Sequence, residues 1–139
     1  MIYGIKITPT ETGVEVTCRD IPECVYDAKD RAEAIALAGQ MLPGALVMFY
    51  RKKKRPFPLP TKYQKGEVLV DVSAKIQAKM LFWNFLRENN IRLVDVARKL
   101  GVSRSEAGRL VDLTQDGASI DAVEKALKQF GKYFTLTIS

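Results

Sequence analysis

The sequence predicts an α+β protein, with an antiparallel sheet and one long helix followed by an all-helical domain that ends in a short strand. Three observations predict it. Apolar and polar residues alternate near the N-terminus and again over 67–72, the period of strands with one buried face. From Ser73 onward the apolar spacing is that of helices. The chain has 139 residues, enough for two small domains, and the change of period places their boundary after Val72, giving domains 1–72 and 73–139.

Tyr3, Ile5 and Ile7 alternate with Ile2, Gly4 and Lys6, and Val14, Val16 and Cys18 alternate with Glu15, Thr17 and Arg19. The intervening Thr8-Pro9-Thr10-Glu11-Thr12-Gly13 is turn chemistry, so the two segments read as an antiparallel hairpin. Pro22 ends the second strand because it cannot donate to a ladder, and Val25-Tyr26 reads as a short third strand. Asp30, with Glu33 three positions on, opens a helix as a capping box does. Its expected inner face carries Ile35, Gly39, Leu42, Leu46 and Phe49, with a kink or a break at Pro43.

Arg51-Lys52-Lys53-Lys54-Arg55 has two readings. It is either a contact for phosphate or an acidic partner, or a solvated helix end favoured by the macrodipole. Pro56, Pro58 and Pro60 then force an extended stretch, and 67–72 alternates as a strand that can pair with the hairpin. Ser73 is the expected cap of the next helix, whose apolar face holds Ile76, Met80 and Trp83, widened by Phe82, Phe85 and Leu86. Asn89-Asn90 ends it.

Segment 93–113 carries the most specific pattern. Val96, Ala97 and Leu100 form the inner face of a short helix. Gly101 supplies a sharp turn, Val102 plugs it, and Ser103 caps a second helix with Glu106 completing a capping box. Ala97 must be small where the helices cross, and Ala107 and Leu110 return the second helix to the core. The set reads as a helix-turn-helix, whose second helix enters the major groove of duplex DNA. The bland alternative is a helical hairpin that only packs. Ser103, Arg104, Ser105, Gly108 and Arg109 are the exposed positions of the second helix. Arg104 and Arg109 are the base-reading candidates, since arginine bonds guanine bidentately. Ser103 and Ser105 suit phosphate or base edges, Gly108 admits a close duplex, and Arg92 and Lys99 are candidates for the DNA backbone.

Thr114-Gln115-Asp116-Gly117-Ala118 reads as a loop, and Ser119 caps a last helix with Ile120, Val123, Leu127 and Phe130 inward and Gly131 at its end. Tyr133, Thr135 and Thr137 alternate with Phe134, Leu136 and Ile138 as a final strand. Such a strand has little to pair with in its own helical domain, so pairing with a second copy, and hence a homodimer, is expected. Two recognition helices would then lie about 34–36 Å apart, one turn of DNA.

Composition narrows the function classes. The formal net charge is +6, which favours polyanionic partners, and there is no histidine, the commonest general base and metal ligand. The first 72 residues carry 11 basic against 9 acidic residues, or +2, and the remainder 11 against 7, or +4. Cys18 and Cys24 read as two reduced thiols, too few ligands for zinc. No cofactor, no metal and no enzymatic activity are expected. No apolar run reaches the roughly 18 residues of a membrane helix and no secretion signal opens the chain, so the expected compartment is the cytoplasm, with no membrane contact.

With both halves read, the chain resembles the HicB antitoxin family over essentially its full length. The resemblance rests on Ile5-Lys6-Ile7, Gly13-Val14-Glu15-Val16, Asp20-Ile21-Pro22-Glu23, Glu33-Ala34 and Leu59-Pro60, then on 97–110 and on Lys125-Ala126-Leu127 leading to Gly131-Lys132. It implies a partial ribonuclease H-like fold for the first domain. It also implies that this domain binds and inhibits a HicA-type toxin, a small messenger-RNA-cleaving protein, while the second domain binds operator DNA and represses the operon. The toxin-contacting residues are not legible. The family's common Asp-x-Pro-Gly turn ends in Glu23 here, and the run 51–55 is unexpectedly basic for a face meeting a basic toxin.

Two other functions compete. One is a stand-alone repressor whose first domain senses a ligand or partner, though no converging polar groups suggest a pocket. The other is a nuclease, which needs several carboxylates around metal ions. Asp20, Asp27, Asp30, Glu33, Glu67 and Asp71 are available, but Asp30 and Glu33 are explained as capping residues and the others sit at turns or a strand end. Two association surfaces, one in each domain, would make a tetramer.

Overall fold

The structure is a computed structural model that describes residues 1–114 and 117–139. The chain divides into two compact units, Met1–Ser73 and Ala74–Ser139.

The first unit is a four-stranded antiparallel sheet with a helix on one face. Its strands are β1 (Ile2–Pro9), β2 (Val14–Cys18), β3 (Val25–Ala28) and β4 (Val68–Asp71), in the order β3-β2-β1-β4. The expected hairpin forms, with Ile5 opposite Cys18 and Ile7 opposite Val16. Strand β4 returns to the free edge of β1, pairing Gly4 with Leu69 and Ile2 with Asp71. Alternation buries Tyr3, Ile5, Val16, Cys18, Tyr26 and Ala28. Both thiols are buried and unpaired, and burial first, then the neighbouring Cys18, pushes the Cys24 thiol up to about 11.

Helix α1 (Arg31–Leu46) begins at Asp30, whose carboxylate accepts the Glu33 amide N–H at 2.9 Å. Its inner face is Ala34, Ala38, Leu42, Ala45 and Leu46. Ile35 and Gly39, expected inside, are exposed, and Phe49 is only half-buried. The small alanines meet the sheet instead. Tyr26 supports that approach, because its hydroxyl donates to the Ala34 carbonyl at 2.6 Å. Pro43 does not end the helix. It lies inside α1, and the chain then widens into a π-helical turn over Val47–Arg51, closed by the Lys52 amide bonding the Val47 carbonyl at 3.0 Å. One sequence expectation is corrected here: the helical run Arg31–Arg51 is long and apolar enough to cross a membrane by length and composition. Ala34, Ala38, Leu42 and Leu46 pack inside the unit, as the core helix of a globular domain does.

The proline stretch is pinned to the sheet. Phe57 is buried, and the Tyr3 hydroxyl donates to the Pro58 carbonyl at 2.6 Å. Asp20 accepts the Thr61 amide at 2.9 Å and the Thr61 hydroxyl at 2.7 Å. Arg19 reaches the Thr61 hydroxyl oxygen, the Lys62 carbonyl at 2.8 Å and the Glu67 carboxylate at 3.2 Å. Arg19 thereby holds the Glu67 carboxyl below the usual carboxylate range. A carboxyl depressed in the fold stabilises at neutral pH, and its contribution is lost as pH falls through its folded pKa.

The second unit has four helices: α2 (Ala74–Glu88), α3 (Leu93–Leu100), α4 (Arg104–Arg109) and α5 (Ile120–Lys128). Its core gathers Met80, Phe82, Trp83 and Leu86 from α2, Val96 from α3, Val111, and Val123 and Leu127 from α5. Asn90 takes a left-handed conformation, φ 54°, just past α2, as expected of its chain terminator. Ser119 caps α5 by accepting the Ala122 N–H at 3.1 Å. Of the expected loop 114–118, Gln115 and Asp116 lie outside the described residues. The expected final strand does not form within the chain: residues 132–139 pair with no strand among the described residues, and Leu136 and Ile138 are fully open to solvent at 84% and 102% exposure. A ladder needs a second strand, and a lone helical unit offers none.

A side chain added at Gly4 would meet the Glu67 carboxylate at 2.5 Å. Gly4→Ala should therefore destabilise the protein by about 1–2 kcal/mol in urea unfolding, by forcing Glu67 off Arg19. In a Glu67→Ala background the same change should cost far less, and equal costs in both backgrounds would show that the two positions are not coupled.

Candidate functional site

Helices α3 and α4 are joined by only three residues, Gly101, Val102 and Ser103. Gly101 caps α3 at φ 67° and ψ 35°, a left-handed conformation that side chains disfavour. The Val102 amide bonds the Ala97 carbonyl at 3.0 Å, which turns the chain back over α3. Ser103 then caps α4, its hydroxyl oxygen accepting the Glu106 N–H at 3.1 Å. Ala97, Ala107, Leu110 and Val111 are buried, so the inner sides of both helices are fixed by packing.

This construction leaves the opposite side of α4 open. Arg104 and Ser105 are exposed at its start, Arg109 is exposed at its end, and Gly108 faces open space in which an added Cβ would meet nothing within 4 Å. Ser103, Arg104, Ser105, Gly108 and Arg109 thus share one short helix and its cap. The aliphatic stem of Arg109 lies against Gly117, where an added Cβ would come within 3.0 Å of it, so its guanidinium leaves α4 on a backed stem.

The two expected backbone contacts are differently placed. Arg92 precedes α3 and is engaged with Asp95: the carboxylate accepts the Arg92 backbone N–H at 3.0 Å and its guanidinium at 3.2 Å. Hydrogen bonding from Arg92 holds the Asp95 carboxyl below its usual range. Arg98 stands 3.6 Å from the same carboxylate. Lys99 sits with its ammonium 5.4 Å from the Phe130 ring centroid, a cation–π contact.

Sequence reading missed Lys79. It is 1% exposed, and its ammonium donates to the Asp112 carbonyl at 2.8 Å, tying α2 to the segment just beyond α4. Its signal was there to find, because Lys79 lies three, four and seven positions before the buried Phe82, Trp83 and Leu86. A cleft of about 740 Å³ also opens in this unit, with Leu100, Val102, Ala122 and Ala126 on its walls and Arg109 and Lys125 at its rim. Among the described residues no three of His, Cys, Asp and Glu stand together as a metal group; Asp20 and Glu67 are joined instead by Arg19.

The sequence pattern of the HicB-like antitoxin of bacterial toxin–antitoxin systems matches residues 2–81. The chain belongs to the HicB-like antitoxin family. Relatives extend the match through the second unit. The chain is similar to Antitoxin HicB 2 of Photorhabdus laumondii, 36% identical over 98% of this chain and 95% of the relative. It is likewise similar to Antitoxin HicB of Escherichia coli K12, 31% identical over 99% of both chains. Antitoxin HicB of Pseudomonas fluorescens is 27% identical over 98% of this chain and 92% of its own. Both units of this HicB-like chain therefore have counterparts in those antitoxins.

The α3–α4 turn makes a stability prediction. Gly101→Ala should destabilise the second unit by about 1 kcal/mol, because alanine is strained at this φ, and Ser103→Ala by a similar amount through loss of the cap. Chemical denaturation followed by the fluorescence of Trp83 reads both, and wild-type stability in Gly101→Ala would contradict the assigned turn.

Proposed function

We propose that this chain is an antitoxin that neutralises a HicA-type toxin through its first unit and represses its own operon by binding operator DNA through its second. The antitoxin reading is carried by family membership and by relatives that match it from end to end. The DNA reading is carried by α4, whose buried face is packed and whose exposed face presents Arg104 and Arg109 beside an uncovered Gly108. In this reading α3 and α4 are a helix-turn-helix, α4 is the recognition helix, and arginines on such a helix read guanine edges in the major groove. Arg92 and Lys99 then act near the DNA backbone, Arg92 with its charge already shared with Asp95.

The first unit, read as a partial ribonuclease H-like fold, works sterically, by covering the toxin's active site. It carries out no chemistry of its own. Operator binding is two-fold. The apolar alternation of 133–138, which finds no partner strand in its own chain, pairs with a second copy and sets two α4 helices one DNA turn apart. The gene is expected beside a short reading frame for a small basic protein with a histidine.

Fluorescence anisotropy on duplex from upstream of the gene tests the DNA half. Arg104→Ala and Arg109→Ala should each weaken operator binding by about 1–3 kcal/mol and spare binding to unrelated duplex. Unchanged binding in both variants contradicts the recognition helix. Co-purification with the product of the adjoining frame tests the antitoxin half, and failure to associate at micromolar concentration contradicts it.

A further inference from the structure

The basic run 51–55 is unused by either half of this reading, and the structure makes it a built feature. The Lys52 amide bonds the Val47 carbonyl at 3.0 Å, the Lys54 amide the Arg51 carbonyl at 3.1 Å, and the Arg55 amide the Tyr50 carbonyl at 2.8 Å. Arg55 anchors the turn from the side. Its guanidinium bonds the Phe49 carbonyl at 3.2 Å, pairs with Glu23 at 3.7 Å and lies 4.4 Å from the Tyr50 ring centroid. The Tyr50 hydroxyl donates to the same Glu23 at 2.5 Å. A fixed scaffold thus carries Lys52, Lys53 and Lys54, all three exposed and none in an ion pair among the described residues.

Two features set this apart from an ordinary solvated helix end. Lys54 sits at φ 56°, a conformation that glycine or asparagine takes with least strain, yet the position carries a third consecutive lysine. The helix dipole also accounts poorly for it, since that attraction fades within the last turn. The chemistry of the turn selects among partners. Protein interfaces are depleted in lysine and centre on aromatic or apolar anchors, whereas lysines serve phosphate as point charges. Phe49 is half-buried and Tyr50 is buried, so the turn offers cations without an exposed aromatic anchor.

We propose that the 51–55 turn is a sequence-blind contact for the phosphate backbone of duplex DNA, second to the recognition helix. The proposal rests on the DNA-binding reading of the second unit. The two units share one chain with only Val72 and Ser73 between β4 and α2. A duplex held by one is therefore at high local concentration for the other, and each lysine that meets a phosphate releases counterions.

The test is anisotropy of the full chain on operator duplex and on unrelated duplex, each over a salt series. It compares wild type, the Lys52→Gln/Lys53→Gln/Lys54→Gln variant and the Arg104→Ala/Arg109→Ala variant. The lysine variant should lower the slope of log affinity against log salt by about 2 to 3, and weaken both duplexes together by about tenfold or more at 0.1 M salt. The ratio between duplexes should stay unchanged. The arginine variant should collapse that ratio. Wild-type slopes in the lysine variant overturn the proposal while leaving the recognition helix standing. A wild type with no operator preference overturns the recognition helix, and the unrelated-duplex series still decides the turn. No binding of wild type to either duplex at low salt overturns both. Unchanged DNA binding with lost capture of an acidic protein assigns the turn to protein and also overturns it. Lys54→Gly, which relieves the backbone at that position, checks the fold: it should melt no lower than wild type and still show a reduced slope.

Discussion

Arg19 ties three distant pieces of the first unit together: the end of β2, the loop after the proline stretch and the carboxylate that precedes β4. That single side chain bonds Thr61, Lys62 and Glu67. Without it, the chain leaving α1 has a long extended route back to β1 and no regular hydrogen bonds along it. With it, Glu67 is fixed across β1, where only a glycine at position 4 leaves room, and β4 enters on register. The sheet is then continuous over four strands, and its buried face is wide enough for the small-residue side of α1. A unit of this size has a limited core, so an organised polar network at its margin matters more than in a larger domain.

The second unit solves a different problem. It must hold a short helix at a fixed attitude while leaving one side of it uncovered. Six residues are too few to be stable as an isolated helix. Packing at Ala107, Leu110 and Val111, the Ser103 cap and the Gly101 turn supply the stability, and the buried Lys79 holds the segment beyond the helix. The exposed residues of α4 are thereby released from any structural duty. This is the arrangement expected of a reading head, in which specificity lives in side chains that the fold does not need.

What was legible in the sequence follows from which interactions are local. The strands were legible because alternation at Tyr3, Ile5, Val14 and Val16 has a period that only a half-buried strand satisfies. The caps at Asp30, Ser103 and Ser119 were legible because a side chain bonding an amide three residues on is local. The buried face of α1 was misread because Ile35 looked the better core residue, while the sheet's proximity demanded Ala34 and Ala38. Pro43 was read as a break because its missing donor counts locally, and burial of the surrounding helix outweighed it. Lys79 was overlooked because charge suggests solvent, and only its long-range bond to Asp112 explains its burial. The strand over 133–138 was expected but is not formed within the chain, since its ladder requires a partner. In the candidate site, the residues of α4 were legible from spacing alone, whereas the engagement of Arg92 with Asp95 and of Lys99 with Phe130 depends on side-chain placement that spacing does not encode.

The central claim is a division of labour, with toxin held by one unit and DNA by the other. Hydrogen–deuterium exchange of the full chain tests it most directly, measured alone, with operator duplex and with the toxin partner. The account predicts that duplex slows exchange chiefly across α3 and α4, and that toxin slows exchange within the first unit while leaving α4 unchanged. Toxin-induced protection centred on α4, or duplex-induced protection confined to the sheet, would contradict it.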